Sequence, residues 1–408
     1  MDSTKRYENT LVGILFFTWG TVFLDRMSPL YLAPYFAPEF HLGNAQIGTL
    51  ASVLAITWAA STFFFGALSD RLGRKPVLVP AVFIFSILSW MTGLAHSYHQ
   101  LLLIRALMGI AEGPTWSIMT ALIEESSSVK RRGRNIGFVV SAAALVGLAA
   151  APVLTTQVAA RWGWRSAFFV AGVPGLLAGL LIWKFVKEPS AEGGTNHAKP
   201  SVLEYFSILR YRNIRLCCVG ATGFMSWLFA LSVFAPLYIT EVAHEPATMA
   251  GFLLGASGLG SFFLGFLLPS LSDRMGRKPV LLLMAGLSAV VPLAFLVPVL
   301  YMYPVLLAAI VFVANTGQGI ASLIMVLVPT ESVPSQFRAT SIGLTTLVGE
   351  IMGATGAPIL AGMLAEKHGL GLTMWLAAGG SAVLFLAALF LQEPRGDRSI
   401  APIISSVG

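Results

Sequence analysis

The sequence predicts an all-α integral membrane protein with twelve transmembrane helices, arranged as two six-helix repeats. Three observations predict this fold class: the composition, the number of apolar runs, and a loop sequence that occurs twice. Of the 408 residues, 56% are hydrophobic and only 11% are charged, whereas soluble domains carry about 25% charged residues. Such a chain lacks the polar surface that a water-soluble protein of this size needs.

Six apolar runs occupy the first half of the chain, and each approaches the roughly 20 residues that cross a bilayer. Charged or turn-forming clusters separate them. The predicted spans are residues 10–35, 46–68, 76–95, 99–124, 136–160 and 165–186.

The second half shows the same pattern. Its predicted spans are residues 214–240, 247–270, 278–300, 303–329, 339–365 and 370–392. A polar stretch that contains Gly193-Gly194 separates the halves. We therefore expect an N-terminal six-helix bundle at 1–189, a cytoplasmic linker at 190–213 and a C-terminal bundle at 214–408.

Lysines and arginines alternate between the loops. With the N-terminus in the cytoplasm, 21 of them lie in cytoplasmic segments and 3 in external loops, while Arg26 and Arg105 lie within spans. The positive-inside rule then predicts that both termini are cytoplasmic. Topology accounts for the net charge of +7, so we expect a lipid bilayer and no nucleic acid as the partner. The short loops favour a bacterial inner membrane protein, and we expect it to be a monomer.

The strongest signal is an internal repeat. Residues 68–78 and 271–281 are identical at ten of eleven positions, with an offset of 203. Weaker matches follow the same order in both halves: Glu125 and Glu331, Ala151-Pro152 and Ala357-Pro358, and Glu188-Pro189 and Glu393-Pro394. Two halves in the same orientation are typical of secondary transporters built from parallel repeats.

The first copy of the repeated loop contains the pattern Gly66, Leu68, Asp70, Arg71, Gly73, Arg74 and Lys75. This pattern resembles the signature of the major facilitator superfamily, which implies transport by alternating access. A glycine permits the tight turn, and charges at helix ends could hold one state closed; the alternative is that the basic residues only set topology. The gating candidates are Asp70, Arg71, Gly73, Arg74, Lys75, Asp273, Arg274, Arg277 and Lys278.

Ionisable residues inside spans are costly, and by default they are functional candidates. Asp25 and Arg26 lie in the first span, and Arg105 and Glu112 share one face of the fourth. An anion that engages the arginine would weaken its hold on the acid and favour protonation of that acid, which would couple a proton to an anion. The alternative is a static ion pair that locks two helices.

Leu24-Asp25-Arg26, together with Arg105 and Glu112, resembles the anion:cation symporter branch of the superfamily and also its spinster-like branch. The resemblance implies that Asp25 and Glu112 carry protons and that Arg26 and Arg105 engage the anion or the acids. Glu350 in the eleventh span is a further candidate proton site. The alternative for Glu350 is a hydrated cytoplasmic part of that span.

Five other residues are candidates for substrate binding, although helix packing is the alternative for each. They are Tyr31, Trp227, Tyr238, Asn315 and Gln318. The chain has only six asparagines, whereas a sugar would require many hydrogen-bonding side chains. We therefore expect an aromatic or aliphatic carboxylate as the substrate, with a sugar acid as the next choice.

The predicted function is proton-coupled symport of a small organic anion, with the proton gradient as driving force and no cofactor. The sequence contains no phosphate-binding loop and no zinc-binding His-Glu-x-x-His motif, so we expect neither ATP use nor an enzyme, and no metal. The alternative is an exporter of drugs or of lysolipid- or sphingolipid-like amphiphiles. The fifth span reads Gly147 to Ala151-Pro152 and lacks the full glycine pattern of drug antiporters, which disfavours drug export and leaves lipid export open.

Overall fold

The computed structural model describes residues 3–128, 130–188, 207–334 and 337–393. Within these ranges, only the backbone is described for Ser3, Thr4, Phe63, Gly66, Ala67 and Asp70. The predicted gating residue Asp70 is therefore placed only by its backbone, in the second helix. Residues 189–206 lie outside the described ranges, so the linker at 190–213 and the domain division remain a prediction.

Within the described ranges, twelve long helices confirm the predicted all-α fold. In the first half they are α1 (Ser3–Phe36), α2 (Asn44–Leu72), α3 (Arg74–Gly93), α4 (Tyr98–Ser126), α5 (Arg132–Trp162) and α6 (Trp164–Phe185). In the second half they are α7 (Arg212–Val242), α8 (Ala247–Met275), α9 (Arg277–Phe295), α10 (Pro304–Glu331), α11 (Arg338–His368) and α12 (Gly371–Phe390). Ten are long and apolar enough to cross a membrane, and α2 and α4, of 29 residues each, complete the set.

The predicted spans differ from these helices mainly at their ends: α1 begins at Ser3 and not at residue 10, and α8 ends at Met275 and not at residue 270. The ninth span was expected to reach residue 300, but α9 ends at Phe295 and a short 3₁₀ turn, Pro298–Met302, follows; proline at the start of that turn cannot continue a helix. The tenth helix is interrupted at Asn315 and Thr316. There the Asn315 side-chain oxygen accepts the backbone N–H of Gly317 at 3.0 Å, which competes with the helical hydrogen bond.

Helices α5 and α11 share an unusual feature. Each contains an eight-residue π-helical stretch, Ala143–Ala150 in α5 and Gly349–Gly356 in α11. Each stretch ends directly before an Ala-Pro pair, Ala151-Pro152 or Ala357-Pro358. Proline has no N–H to donate and crowds the preceding turn, and a widened turn accommodates this. The repeated Ala-Pro pair therefore accounts for the wide turn that carries Glu350.

The two sets of six helices pack in matching ways. In the first, α2 packs on α4 and α3 on α6; in the second, α8 packs on α10 and α9 on α12. The sets meet through α2 with α11, α5 with α8, and α1 with α7. We call the end of the bundle where α1 ends and α2 begins the far end, and the opposite end the near end.

The two sets are closely apposed at the far end. The backbone of Gly48 in α2 lies against Pro358 in α11, and Gly251 in α8 lies against Pro152 in α5, with no room for a Cβ atom at either glycine. The Ser52 hydroxyl donates to the Thr355 carbonyl at 2.6 Å across the same boundary. This end of the bundle is therefore closed between the sets.

Candidate functional site

The intramembrane charges predicted from the sequence come together between α1, α4 and α11. Asp25 and Arg26 lie on α1, Arg105 and Glu112 on α4, and Glu350 on α11. None of them is more than 5% exposed. Because charges are rarely buried without partners, their contacts determine what each can do.

Arg26 forms an ion pair with Glu350. Its Nη2 atom donates to Oε2 of Glu350 at 3.2 Å, which joins α1 to α11 across the two sets of helices. The guanidinium also lies 5.8, 5.2 and 5.3 Å from the ring centres of Phe23, Trp58 and Phe229. Such rings stabilise a desolvated cation. The cation therefore lies in an aromatic enclosure with one carboxylate as its counter-ion.

Arg105 contacts backbone oxygens instead. Its Nη2 atom donates to the Arg26 carbonyl at 3.1 Å, and its Nε atom donates to the Leu50 carbonyl at 3.5 Å. The third guanidinium nitrogen lies 3.7 Å from the sulfur of Met108. Arg105 thus links α4 to α1 and α2 and fixes the backbone that carries Arg26.

The two remaining acids differ in their hydrogen bonding. The Ser89 hydroxyl donates to Oδ1 of Asp25 at 2.7 Å. Oδ2 of Asp25 and both carboxylate oxygens of Glu112 are buried and have no hydrogen-bond partner within the described part of the chain. Glu112 is 0% exposed. It can therefore gain or lose a proton without breaking an ion pair.

A small cavity between the two sets contains two of the predicted binding residues, Tyr31 and Asn315. Its other lining residues are Leu148, Leu228, Leu231, Ser232, Leu254, Ser257 and Gly258. The Tyr31 hydroxyl donates to the Gly147 carbonyl at 3.2 Å, and Asn315 donates to Ser257 at 2.7 Å. The cavity is mostly apolar, with a few hydroxyl and amide groups in its wall.

The other predicted binding residues lie elsewhere. Trp227 is 1% exposed, and its indole N–H donates to the Ser288 carbonyl at 2.9 Å. Tyr238 lies in the π-helical turn that ends α7. Gln318 follows the interruption in α10, where its backbone N–H donates to Ser261 at 2.9 Å. Among the described residues, none of these three lines the cavity or forms a hydrogen bond with Arg26.

The repeated loops form matching clusters at the near end. Arg74 pairs with Glu125 at 3.1 Å, and Arg277 pairs with Glu331 at 2.7 Å. Arg277 also contacts Asp273 at 2.6 Å. Both of these arginines are partly buried. The sequence echo of Glu125 at Glu331 therefore marks a repeated ion pair.

A second carboxylate caps the helix that follows each loop. Glu188 accepts the backbone N–H groups of Arg74 and Lys75, and Glu393 accepts those of Arg277 and Lys278. Carboxylates stabilise helix N-termini in this way. The repeated Glu-Pro pairs thus supply the caps of α3 and α9.

The remaining gating candidates lie around these clusters. Arg71 and Arg274 are exposed. Gly73 and Gly276 have φ of +101° and +96°, a region that glycine enters readily and other residues rarely do. Each glycine therefore forms the turn between two helices.

Sequence reasoning missed the aromatic residues around the charges. They are Trp19 and Phe23 on α1, Trp58 on α2, Trp116 on α4 and Phe229 on α7. The spacing of Trp19, Phe23 and Arg26 places all three on one helix face, and Glu112 with Trp116 does the same on α4. That spacing relative to the intramembrane charges is the signal that could have identified them.

Comparisons with known proteins agree with this architecture. Residues 15–357 match the sequence model of the protein family described as the Major Facilitator Superfamily. The chain is 30% identical over 93% of its length to a Cupriavidus pinatubonensis protein named "Probable 4-methylmuconolactone transporter", and covers 89% of it. It is 26% identical over 96% of its length to an Escherichia coli protein named "Probable L-galactonate transporter", and covers 92% of it.

Solved structures show the same fold. A bacterial homologue of the human lysosomal transporter Spinster, in an inward-facing and occupied conformation, matches with a TM-score of 0.73 at 21% identity. The match covers 94% of this chain and 96% of that one.

Proposed function

The chain belongs to the Major Facilitator Superfamily of membrane transporters, and from that premise we propose that it carries a small organic anion together with protons by alternating access. The observation that carries the proposal is the buried ion pair between Arg26 and Glu350. It places a carboxylate on a cation inside an aromatic enclosure between the two sets of helices. A substrate carboxylate would take the place of Glu350 on Arg26.

Proton coupling follows from the neighbouring acids. Glu112 and Asp25 have carboxylate oxygens with no partner among the described residues, and Glu112 interacts electrostatically with Arg26 and Arg105. When an anion binds Arg26, Glu350 loses its counter-ion and can accept a proton. Protons on Glu112, Asp25 and Glu350 would then offset the charge of the bound anion, and the loaded carrier could change state.

The substrate is proposed to have an apolar body. The rings of Phe23, Trp58 and Phe229 surround the guanidinium, whereas a sugar acid would require several hydrogen-bonding groups in their place. One relative is named for a lactone and another for a sugar acid, so both classes belong in the test. If a sugar acid outcompetes every apolar carboxylate for uptake, the proposed substrate class is wrong.

The proposed cycle also needs an orientation. The distribution of Lys and Arg supports cytoplasmic termini in a bacterial inner membrane, which makes the near end cytoplasmic and the closed far end external. The halves, residues 1–189 and 214–408, would rock about the site as two bodies. The ion pairs and helix caps at Arg74 and Arg277 would hold and release the near end. We propose that one chain is sufficient for transport.

The test is transport in liposomes under an inward proton gradient. We expect the lumen to acidify when benzoate or another apolar carboxylate is added outside, and Arg26→Ala to abolish that signal. Lys184→Ala, a change at the near end of α6 and distant from the site, should keep it. Silence with every carboxylate, together with proton movement only when a lipophilic cation or a lysolipid is added, would overturn the proposal in favour of export.

A further inference from the structure

A line of aromatic rings extends from Arg26 towards the near end. Trp19 and Phe23 on α1 have ring centres 5.1 Å apart, and Trp19 lies 4.9 Å from Trp116 on α4. Phe23 in turn lies 5.8 Å from the Arg26 guanidinium. The rings therefore form a continuous apolar surface that begins at the cation.

Two hydrogen-bond donors near this surface have no acceptor. The indole N–H groups of Trp19 and Trp58 are buried, and no partner for either lies in the described ranges. Each of these side chains is 6% exposed. Burying such a group without an acceptor is unfavourable, and most buried polar groups in proteins are paired.

Other tryptophans of the chain show how such donors are normally satisfied. The indole N–H of Trp227 donates to the Ser288 carbonyl at 2.9 Å, and that of Trp90 donates to the Phe169 carbonyl at 2.9 Å. Trp164 donates to a glutamate carboxylate at 2.8 Å. The unpaired donors of Trp19 and Trp58 thus coincide with the aromatic surface around the charges.

We propose that Trp19 is a specificity-determining residue, whose N–H group donates to an oxygen of the ligand remote from its carboxylate. This inference rests on the proposed function, because it takes Arg26 as the carboxylate site. Trp19 and Arg26 are seven residues apart, or about 10 Å along the helix. Trp58 contacts the guanidinium itself at 5.2 Å, so its N–H group lies at the carboxylate end.

The ligand class follows from these positions. Phe23 and Trp116 would pack against an apolar body, preferably a flat one, and Trp19 would pair with a hydroxyl or carbonyl at its far end. Hydroxylated or oxo-substituted aromatic and unsaturated carboxylates have this form. A site that hydrogen-bonds a substrate oxygen discriminates strongly against the analogue that lacks it, because the buried donor is then left unpaired.

The experiment compares benzoate with 3-hydroxybenzoate and 4-hydroxybenzoate by titration calorimetry on the purified full-length protein. We expect at least one hydroxybenzoate to bind about tenfold more tightly than benzoate. Trp19→Phe keeps an aromatic ring but removes the donor. It should therefore reduce the ratio of the hydroxybenzoate affinity to the benzoate affinity from about ten to about two. Trp19→His retains a ring N–H and should give an intermediate ratio. Trp183→Phe, at an exposed position on α6, should keep the full ratio.

The outcomes separate this inference from the proposed function. If wild-type protein binds benzoate and both hydroxybenzoates equally, or if folded Trp19→Phe keeps the full ratio, the role of Trp19 is wrong and anion binding stands. If no carboxylate binds to the wild-type protein, both are wrong. Thermal unfolding of each variant establishes that it is folded, and the His variant provides the comparison if the Phe variant is not.

Discussion

Arg26 on α1 and Glu350 on α11 form a buried ion pair of 3.2 Å between residues that are 324 positions apart in the chain. The pair joins the two repeats at the level of the other intramembrane charges. Both side chains are at most 7% exposed. The ion pair therefore links the anion site to the contact between the repeats.

The first prediction concerns Glu350→Gln. This change removes the carboxylate that occupies Arg26, so an anionic ligand no longer competes with it, and we expect benzoate to bind about tenfold more tightly. Removing one partner of a buried ion pair should also destabilise the ligand-free protein by about 3–5 kcal/mol. Calorimetric titration and thermal unfolding with and without benzoate measure both effects.

The control for this prediction is Glu124→Gln, which neutralises an exposed glutamate at the near end of α4. It should change neither the affinity nor the stabilisation by ligand. If Glu350→Gln weakens binding of the anion, the carboxylate helps to form the site and does not compete for it.

The second prediction concerns Glu112→Gln. Glutamine has the shape of the protonated acid, and neither oxygen of Glu112 has a partner in the described structure. We therefore expect the variant to exchange substrate within about threefold of the wild-type rate. It should lose accumulation driven by a proton gradient. Counterflow and gradient-driven uptake in the same liposomes provide the two measurements, and full accumulation would assign Glu112 to structure.

The sequence predicted most of the fold because membrane spans and repeats are local signals. Apolar runs predicted the twelve helices of the described ranges, and the repeated loop predicted the matching clusters at Arg74 and Arg277. The interruption of α10 at Asn315 was not predicted. It depends on one side chain that replaces a helical hydrogen bond, and periodicity does not reveal this.

The charges of the site were predicted as a set, but their pairing was not. Helical spacing placed Arg105 and Glu112 on one face, and the structure shows that Arg105 instead donates to the Arg26 and Leu50 carbonyls. Which groups meet depends on how α1, α4 and α11 pack, and a single sequence contains no record of such long-range contacts. The roles assigned to these residues remain predictions.

The third prediction separates Arg105 from Arg26. Arg105→Met keeps a long apolar side chain but removes the hydrogen bonds that the guanidinium donates to the Arg26 and Leu50 carbonyls. We expect a loss of about 2–3 kcal/mol in the free energy of unfolding. Arg105→Lys should recover part of this loss. Denaturant unfolding in detergent measures it, and a stable Arg105→Met protein that no longer binds benzoate would show that Arg105 binds the anion directly.

The fourth prediction concerns closure of the far end. A carboxylate oxygen of Glu366 on α11 accepts the backbone N–H of Ala45 at 3.1 Å, at the start of α2. A carboxylate at a helix N-terminus contributes about 0.5–1 kcal/mol. Glu366→Gln should therefore shift the equilibrium towards an open far end by about two- to fivefold.

Double electron–electron resonance distances between spin labels that replace His99 and Val305 report this shift. These positions begin α4 and α10 at the far end and are exposed. Glu245→Gln, in the loop after α7, neutralises another glutamate at this end and should leave the distances unchanged. An unchanged distribution in Glu366→Gln would show that the helix–helix packing alone closes the far end.

The last prediction concerns pH and the loop after α1. Arg165 donates to Glu39 at 2.7 and 3.0 Å, and the indole of Trp164 donates to it at 2.8 Å. These bonds, that of Arg165 first, hold the pKa of Glu39 below its ordinary value of 4.5. A carboxyl group whose pKa is lowered on folding stabilises the protein above its unfolded pKa, and this contribution disappears as the pH falls through the folded pKa.

Thermal unfolding should therefore show that Glu39→Gln lowers the melting temperature at pH 7 and that the difference from wild type narrows below about pH 4.5. Because the Arg165 and Glu39 side chains are 34% and 43% exposed, high salt should reduce the difference at pH 7. A difference that is independent of both pH and salt would assign the effect to the lost hydrogen-bond geometry and not to charge.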